Sequence, residues 1–151
     1  MDANDLFEQT CKRTTNYGLC ISFLRSNPRS SGADVRGLAL IMVGVIEAKA
    51  KGTLSQIKDL IKASPQRDDK QPLSSCAEYY DAILSGDVPE AIQALKTGNY
   101  KFAEQGSNNA ALEANMCENR FSGKSPLTKM NKLVHDVAVV AAAITRVLLT
   151  G

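Results

Sequence analysis

Asp87-Val-Pro-Glu-Ala-Ile-Gln-Ala-Leu-Lys-Thr-Gly98-Asn99-Tyr-Lys-Phe-Ala-Glu-Gln-Gly106 decides the fold, because it reads as two helices meeting at one exposed corner. Gly98 is the residue type that ends a helix in the left-handed conformation, and Asn99 is a preferred N-cap for the next. Tyr100, Lys101 and Phe102 then fill the first turn of that second helix. Two aromatics flanking a lysine are costly to leave in water, yet a short corner offers little core to bury both. Either they present a partner surface, or one ring packs inward while the other lies along the surface.

Upstream, a helix begins near Pro72 with Leu73, Cys76, Tyr80, Ile83 and Leu84 on one face. Gly86 and Pro89 interrupt it. Asp87 and Glu90 have capping-box spacing, so the chain is expected to kink there and resume with Ile92 and Leu95. Before it, Leu38, Met42, Val45, Ile46, Ala50, Leu54, Ile57 and Ile61 keep helical spacing through Asp34 to Ser64, a long amphipathic helix. Gly37, Gly44 and Gly52 suggest close approach to a neighbouring helix. Pro65 ends it, and Gln66-Arg67-Asp68-Asp69-Lys70 reads as a solvated turn.

Downstream of the corner the third helix runs to about Arg120, weakest around Gly106-Ser107-Asn108-Asn109. Ser125-Pro126 then opens a last helix to about Leu149, with a seam of Leu127, Met130, Val134, Val137, Ala141, Ile144 and Leu148. At the other end of the chain, Asp5 to Ser26 forms two short helices broken by Thr14-Thr15-Asn16, and Asn27-Pro28 stops the second. Such helices are marginal alone, so they must dock or be held by a bridge. The expected architecture is all-α: an up-down-up-down four-helix bundle over residues 31–151, preceded by a disulfide-pinned N-terminal helical hairpin over residues 1–30, in one domain.

The charge balance of 18 basic to 16 acidic residues carries no polybasic signature, which argues against nucleic acid as a partner. The longest apolar runs, Gly37 to Ile46 and Val137 to Ile144, fall short of a membrane span, so no membrane partner is expected. Met1-Asp2-Ala3-Asn4 lacks the pattern of a signal peptide; a secreted form would start after the cleavage site. Cys11, Cys20, Cys76 and Cys117 allow three pairings. Joining Cys11 to Cys20 and Cys76 to Cys117 is the simplest, since each bridge closes within a local unit, for roughly 3 and about 4 kcal/mol. That favours an oxidising compartment; four reduced, buried cysteines in the cytosol are the alternative.

Catalysis has little to work with. His135 is the sole histidine, on the last helix, where a zinc site or a hydrolytic triad would need more, so neither metal nor cofactor is expected. Its use would be as a titrating group. Glu90 with Glu104, or Glu113 with Glu118, are conceivable carboxylate pairs, but acidic residues scattered over helices read as a solvated face. No phosphate loop, His-Glu-x-x-His helix or Gly-x-Ser-x-Gly elbow is present, and the chain reads as a non-enzyme.

The ordered cysteines on this helical pattern, with Tyr17-Gly18-Leu19-Cys20, Ser26-Asn27-Pro28-Arg29-Ser30 and the closing Ile144-Thr145-Arg146-Val147-Leu148-Leu149, resemble the plant invertase inhibitor and pectin methylesterase inhibitor superfamily. The resemblance implies the bundle and the first-with-second, third-with-fourth cysteine pairing. Val88 to Leu95, Lys101 to Gly106 and Phe121-Ser122-Gly123-Lys124-Ser125-Pro126-Leu127 resemble the invertase-inhibitor branch. In that branch a Pro-Lys-Phe tripeptide at this corner enters the invertase active-site cleft. Lys101 and Phe102 match it, and Tyr100 replaces the proline.

By resemblance, then, the partner is a plant acid invertase, a glycoside hydrolase whose acidic site a lysine on a rigid corner can pair with. Asn99, Lys96 and Glu104 would form the rim around Tyr100, Lys101 and Phe102. A monomer in a one-to-one complex, secreted to the cell wall and apoplast or the vacuole, is the expectation. Inhibition of pectin methylesterase through a helical face, or a helical scaffold that inhibits nothing, are the alternatives.

Overall fold

A computed structural model describes residues 3–63, 68–122 and 124–150. Met1-Asp2, Ser64, the stop at Pro65, the turn residues Gln66-Arg67 and Gly123 lie outside the described residues. The elements are α1 (Ala3–Lys12), α2 (Tyr17–Arg25), a 3-10 turn (Pro28–Gly32), α3 (Val35–Ala63), α4 (Lys70–Ala82), a π turn (Ile83–Asp87), α5 (Val88–Thr97), α6 (Tyr100–Asn119) and α7 (Thr128–Thr150). No strand occurs among the described residues.

The bundle is made of α3, the continuous rod from α4 to α5, α6 and α7. α3 packs on α4 and α7, and α6 on α5 and α7. Its core is the set expected from spacing: Leu38, Met42, Ile46, Ala50 and Ile57 from α3, with Leu127, Val134, Val137, Ala141 and Ile144 from the last segment, are all buried. Asp34 starts α3 by accepting a hydrogen bond from the Gly37 amide at 2.8 Å. The hairpin of α1 and α2 is closed by the Cys11–Cys20 bridge and adds Phe7, Ile21 and Leu24 to the same core. The second bridge, Cys76–Cys117, ties α4 to the end of α6, as antiparallel neighbours require.

Four expectations are corrected. Gly86 and Pro89 do not break the second rod. The Val88 amide instead reaches back five residues to the Ile83 carbonyl, and the widened π turn absorbs a proline whose ring would clash within an α-helical turn. The Asp87–Glu90 capping box is therefore absent: Asp87 has helical dihedrals, φ −61° and ψ −47°, and makes no capping bond. Nor do the glycines of α3 mark a close helix contact. A Cβ added at Gly44 or Gly52 would meet nothing within 4 Å, and at Gly37 it would meet Ala33 and Asp34 of its own local turn. The close approach is at Gly106, where a Cβ would sit 3.0 Å from the Asp87 carbonyl oxygen and 3.3 Å from the Ala91 side chain. This explains why α6 runs unbroken through its weak stretch. Finally, α7 is long and apolar enough to cross a membrane by length and composition alone, contrary to the reading from apolar runs. Its seam is nevertheless the wall of the core.

Glu118 is not part of a solvated face. Tyr80, fully buried, donates to Asn131 Oδ1 at 2.7 Å, and Asn131 Nδ2 donates to Glu118 Oε1 at 2.8 Å, so α4, α6 and α7 are linked by a polar chain beside the second disulfide. Burial opposes the charge of Glu118, but hydrogen bonds from Thr128, Asn131 and Ser125 outweigh it and hold the carboxyl below its ordinary range. Tyr80→Phe leaves Asn131 Oδ1 without that donor in the core and is expected to cost about 1–2 kcal/mol. The check is a urea unfolding curve, in which an unchanged midpoint would refute this role.

Candidate functional site

The corner is built by α5 ending on Gly98. At φ 80° and ψ 11° it alone among the described residues has positive φ. The amides of Gly98 and Asn99 both reach the Ala94 carbonyl, the latter at 2.8 Å, and Thr97 Oγ1 donates to the Gln93 carbonyl at 2.9 Å. The end of α5 is thus closed back on the Gln93 and Ala94 carbonyls. Asn99 occupies the N-cap position of α6 as expected, yet its side chain makes no capping bond. Its backbone sits at φ −85° and ψ 66°.

Of the two rings, Tyr100 is half-buried and packs against the core, whereas Phe102 is 58% exposed, the most exposed large apolar residue among those described. The rings split, and only one is offered to solvent. Lys101 is exposed beside it, with 77% of its side chain accessible, and Lys96 and Asn99 are exposed on the same turn. Lys96, Asn99, Lys101 and Phe102 are thus all exposed at the corner.

Glu104 is not. It lies 7% exposed beneath the corner, not on its rim. Its Oε1 accepts from Lys101 Nζ at 3.3 Å and its Oε2 from Arg146 Nη1 of α7 at 3.0 Å. Burial works against the carboxylate, but the bonds to Arg146 and then Lys101 prevail and keep it below its ordinary range. Sequence reasoning missed Arg146 as part of this site. The i, i+3 spacing of Lys101 and Glu104 is a legible signal, but a partner 42 residues away in another helix leaves none.

His135 stands apart from the corner, with Nδ1 2.9 Å from Asp136 Oδ1. Asp136 is desolvated, yet its bonds to His135 and Lys132 hold it below the ordinary carboxylate range. The carboxyls that do act on each other are neither Glu90 with Glu104 nor Glu113 with Glu118. Asp87 in the π turn and Glu113 on α6 lie close enough for each to shift the other's titration, while Asp87 Oδ2 and Glu113 Oε2 find no donor among the described residues. Two carboxyls can bond only if one keeps a proton. Burial, the Asp87 hydrogen bond and its charge push Glu113 up to about 8.

A disulfide-stapled, all-helical bundle with one braced corner is the scaffold of a known class. The chain belongs to the plant invertase/pectin methylesterase inhibitor family, whose pattern matches residues 5–144. It is 43% identical over 139 residues to the cell wall / vacuolar inhibitor of fructosidase 1 of Arabidopsis thaliana, covering 92% of this chain and 67% of that one. Inhibitor of fructosidase 2 from the same plant is 37% identical over 117 residues, 77% of this chain and 64% of its own. A pectinesterase inhibitor of Actinidia deliciosa is 33% identical over 121 residues, 80% and 64% respectively. The chain therefore spans about two thirds of the length of these relatives. Among solved structures, a mutant form of an Arabidopsis pectin methylesterase inhibitor shares the fold with a TM-score of 0.77 at 22% identity, covering 90% of this chain and 92% of its own.

Proposed function

We propose that this chain is a proteinaceous inhibitor of a plant acid invertase and blocks the sucrose-binding cleft with the Tyr100-Lys101-Phe102 corner. The observation that carries the reading is the pairing of an exposed lysine with an exposed phenylalanine on a turn closed by backbone bonds to the Ala94 carbonyl. A preorganised projection loses little entropy on binding. Lys101 pairs with a carboxylate of the target and Phe102 fills an apolar or sugar-stacking subsite. Tyr100, half-buried at the first helical position, supports the turn from below rather than entering the cleft. A proline at that position would forfeit no intrahelical hydrogen bond. The inhibitor is read as a monomer forming a one-to-one complex in the cell wall or vacuole, the compartments named for its two fructosidase-inhibitor relatives.

The test is sucrose hydrolysis by a plant acid invertase at mildly acidic pH with increasing inhibitor, with pectin methylesterase assayed in parallel. Saturable loss of invertase activity alone is the expected result. Loss of pectin methylesterase activity alone would transfer the function to that enzyme, and loss of neither would overturn both readings.

A further inference from the structure

We infer that Arg146 is a positioning residue for the corner: by acting as the permanent counter-ion of buried Glu104, it leaves the Lys101 ammonium free to leave Glu104 for an acidic group of the target. This rests on the reading of the corner as the inhibitory element. Glu104 is sunk between α6 and α7 and holds two cations of unlike character. Arg146 reaches it at 3.0 Å from a side chain that is 60% exposed, but with a guanidinium, more weakly hydrated than an ammonium and better suited to a desolvated carboxylate. Lys101 reaches it at 3.3 Å from a side chain that is 77% exposed, where water competes for the bond.

The asymmetry matters at the moment of binding. A lysine that was the sole partner of a buried carboxylate could depart only by stranding that charge, which is strongly unfavourable. With Arg146 in place, Glu104 stays paired when Lys101 swings outward. The triad carries one surplus positive charge, and that surplus is what the corner displays.

The experiment is an invertase inhibition series on the full chain. Arg146→Met makes Lys101 the only counter-ion of Glu104 and is expected to weaken inhibition about tenfold, equivalent to about 1.4 kcal/mol. Arg146→Lys restores the second cation and is expected to recover most of the loss. The diagnostic variant is E104Q/R146M, which removes the buried charge along with its counter-ion; inhibition is expected to return to within about threefold of the parent, since 1.4 kcal/mol is a factor of ten. A purely structural role predicts the opposite, with the double variant at least as weak as R146M. That outcome, or an R146M chain that inhibits like the parent, overturns the inference. Lys101→Ala is measured alongside. Undiminished inhibition there overturns the corner reading itself, whereas a loss there joined to an unaltered R146M overturns only the role of Arg146.

Discussion

Lys101→Ala loses roughly 30- to 150-fold in invertase inhibition, the 2–3 kcal/mol of a binding hot spot, while its melting temperature stays within about a degree of the parent. The two halves of this expectation come from different parts of the structure. In the free protein the ammonium is mostly in solvent, and its bond to Glu104 duplicates one that Arg146 already makes. Removing an exposed ion pair of that kind costs well under 1 kcal/mol of stability. In a complex the same charge would be desolvated against a carboxylate, where truncation leaves the partner group unpaired. Inhibition titrations and thermal melts on the same preparation separate the two. Equal inhibition by parent and variant would remove the corner from the mechanism.

The second large effect is on stability against pH. Glu113 titrates at about 8 in the folded chain and near its ordinary 4.5 when unfolded. A raised value stabilises the fold fully below the unfolded pKa and loses that contribution as pH climbs through the folded one. The acid pair with Asp87 should thus weaken the packing of the π turn on α6 between about pH 4.5 and 8. Glu104, Glu118 and Asp136 have the opposite sign, since their carboxyls are held low and their contributions vanish as acid protonates them. Stability is therefore expected to peak at mildly acidic pH. After discounting for the partial exposure of Glu113, the pair contributes about 2 kcal/mol, or roughly 5 °C in a chain of this size. Glu113→Gln supplies Asp87 with an amide donor at every pH and should flatten the alkaline side of the profile. A variant that declines between pH 5 and 8 as steeply as the parent would refute the shared proton.

How much of this was legible in the sequence follows from distance along the chain. The seam of α7, the glycine at the corner and the hairpin broken at Thr14-Thr15-Asn16 are local patterns, and local backbone physics realises them. Both cysteine pairings emerged because each joins units already adjacent by topology. What failed did so where a residue answers to a partner elsewhere. Glu104 resembles any surface glutamate until α7 brings Arg146 over it. Glu113 and Asp87 stand 26 positions apart and meet only once α6 packs on the π turn. Pro89 reads as a breaker because sequence does not distinguish a kinked helix from one that widens.

That widening has a consequence for length. A turn closed from residue i to i+5 houses one residue more than an α-helical turn, so in register it is an insertion. Every side chain after it is rotated by about 100° from where an uninterrupted α-helix would carry it. The inward set of α5, Val88, Ala91, Ala94 and Leu95, is selected by that rotation as much as by residue type. A chain shorter by one residue between Ile83 and Asp87 would keep its cysteines, its corner tripeptide and nearly all its composition, yet would steer the projecting lysine and phenylalanine along a different bearing. Among relatives, one gap at this turn would matter more to what the corner can reach than many substitutions around it.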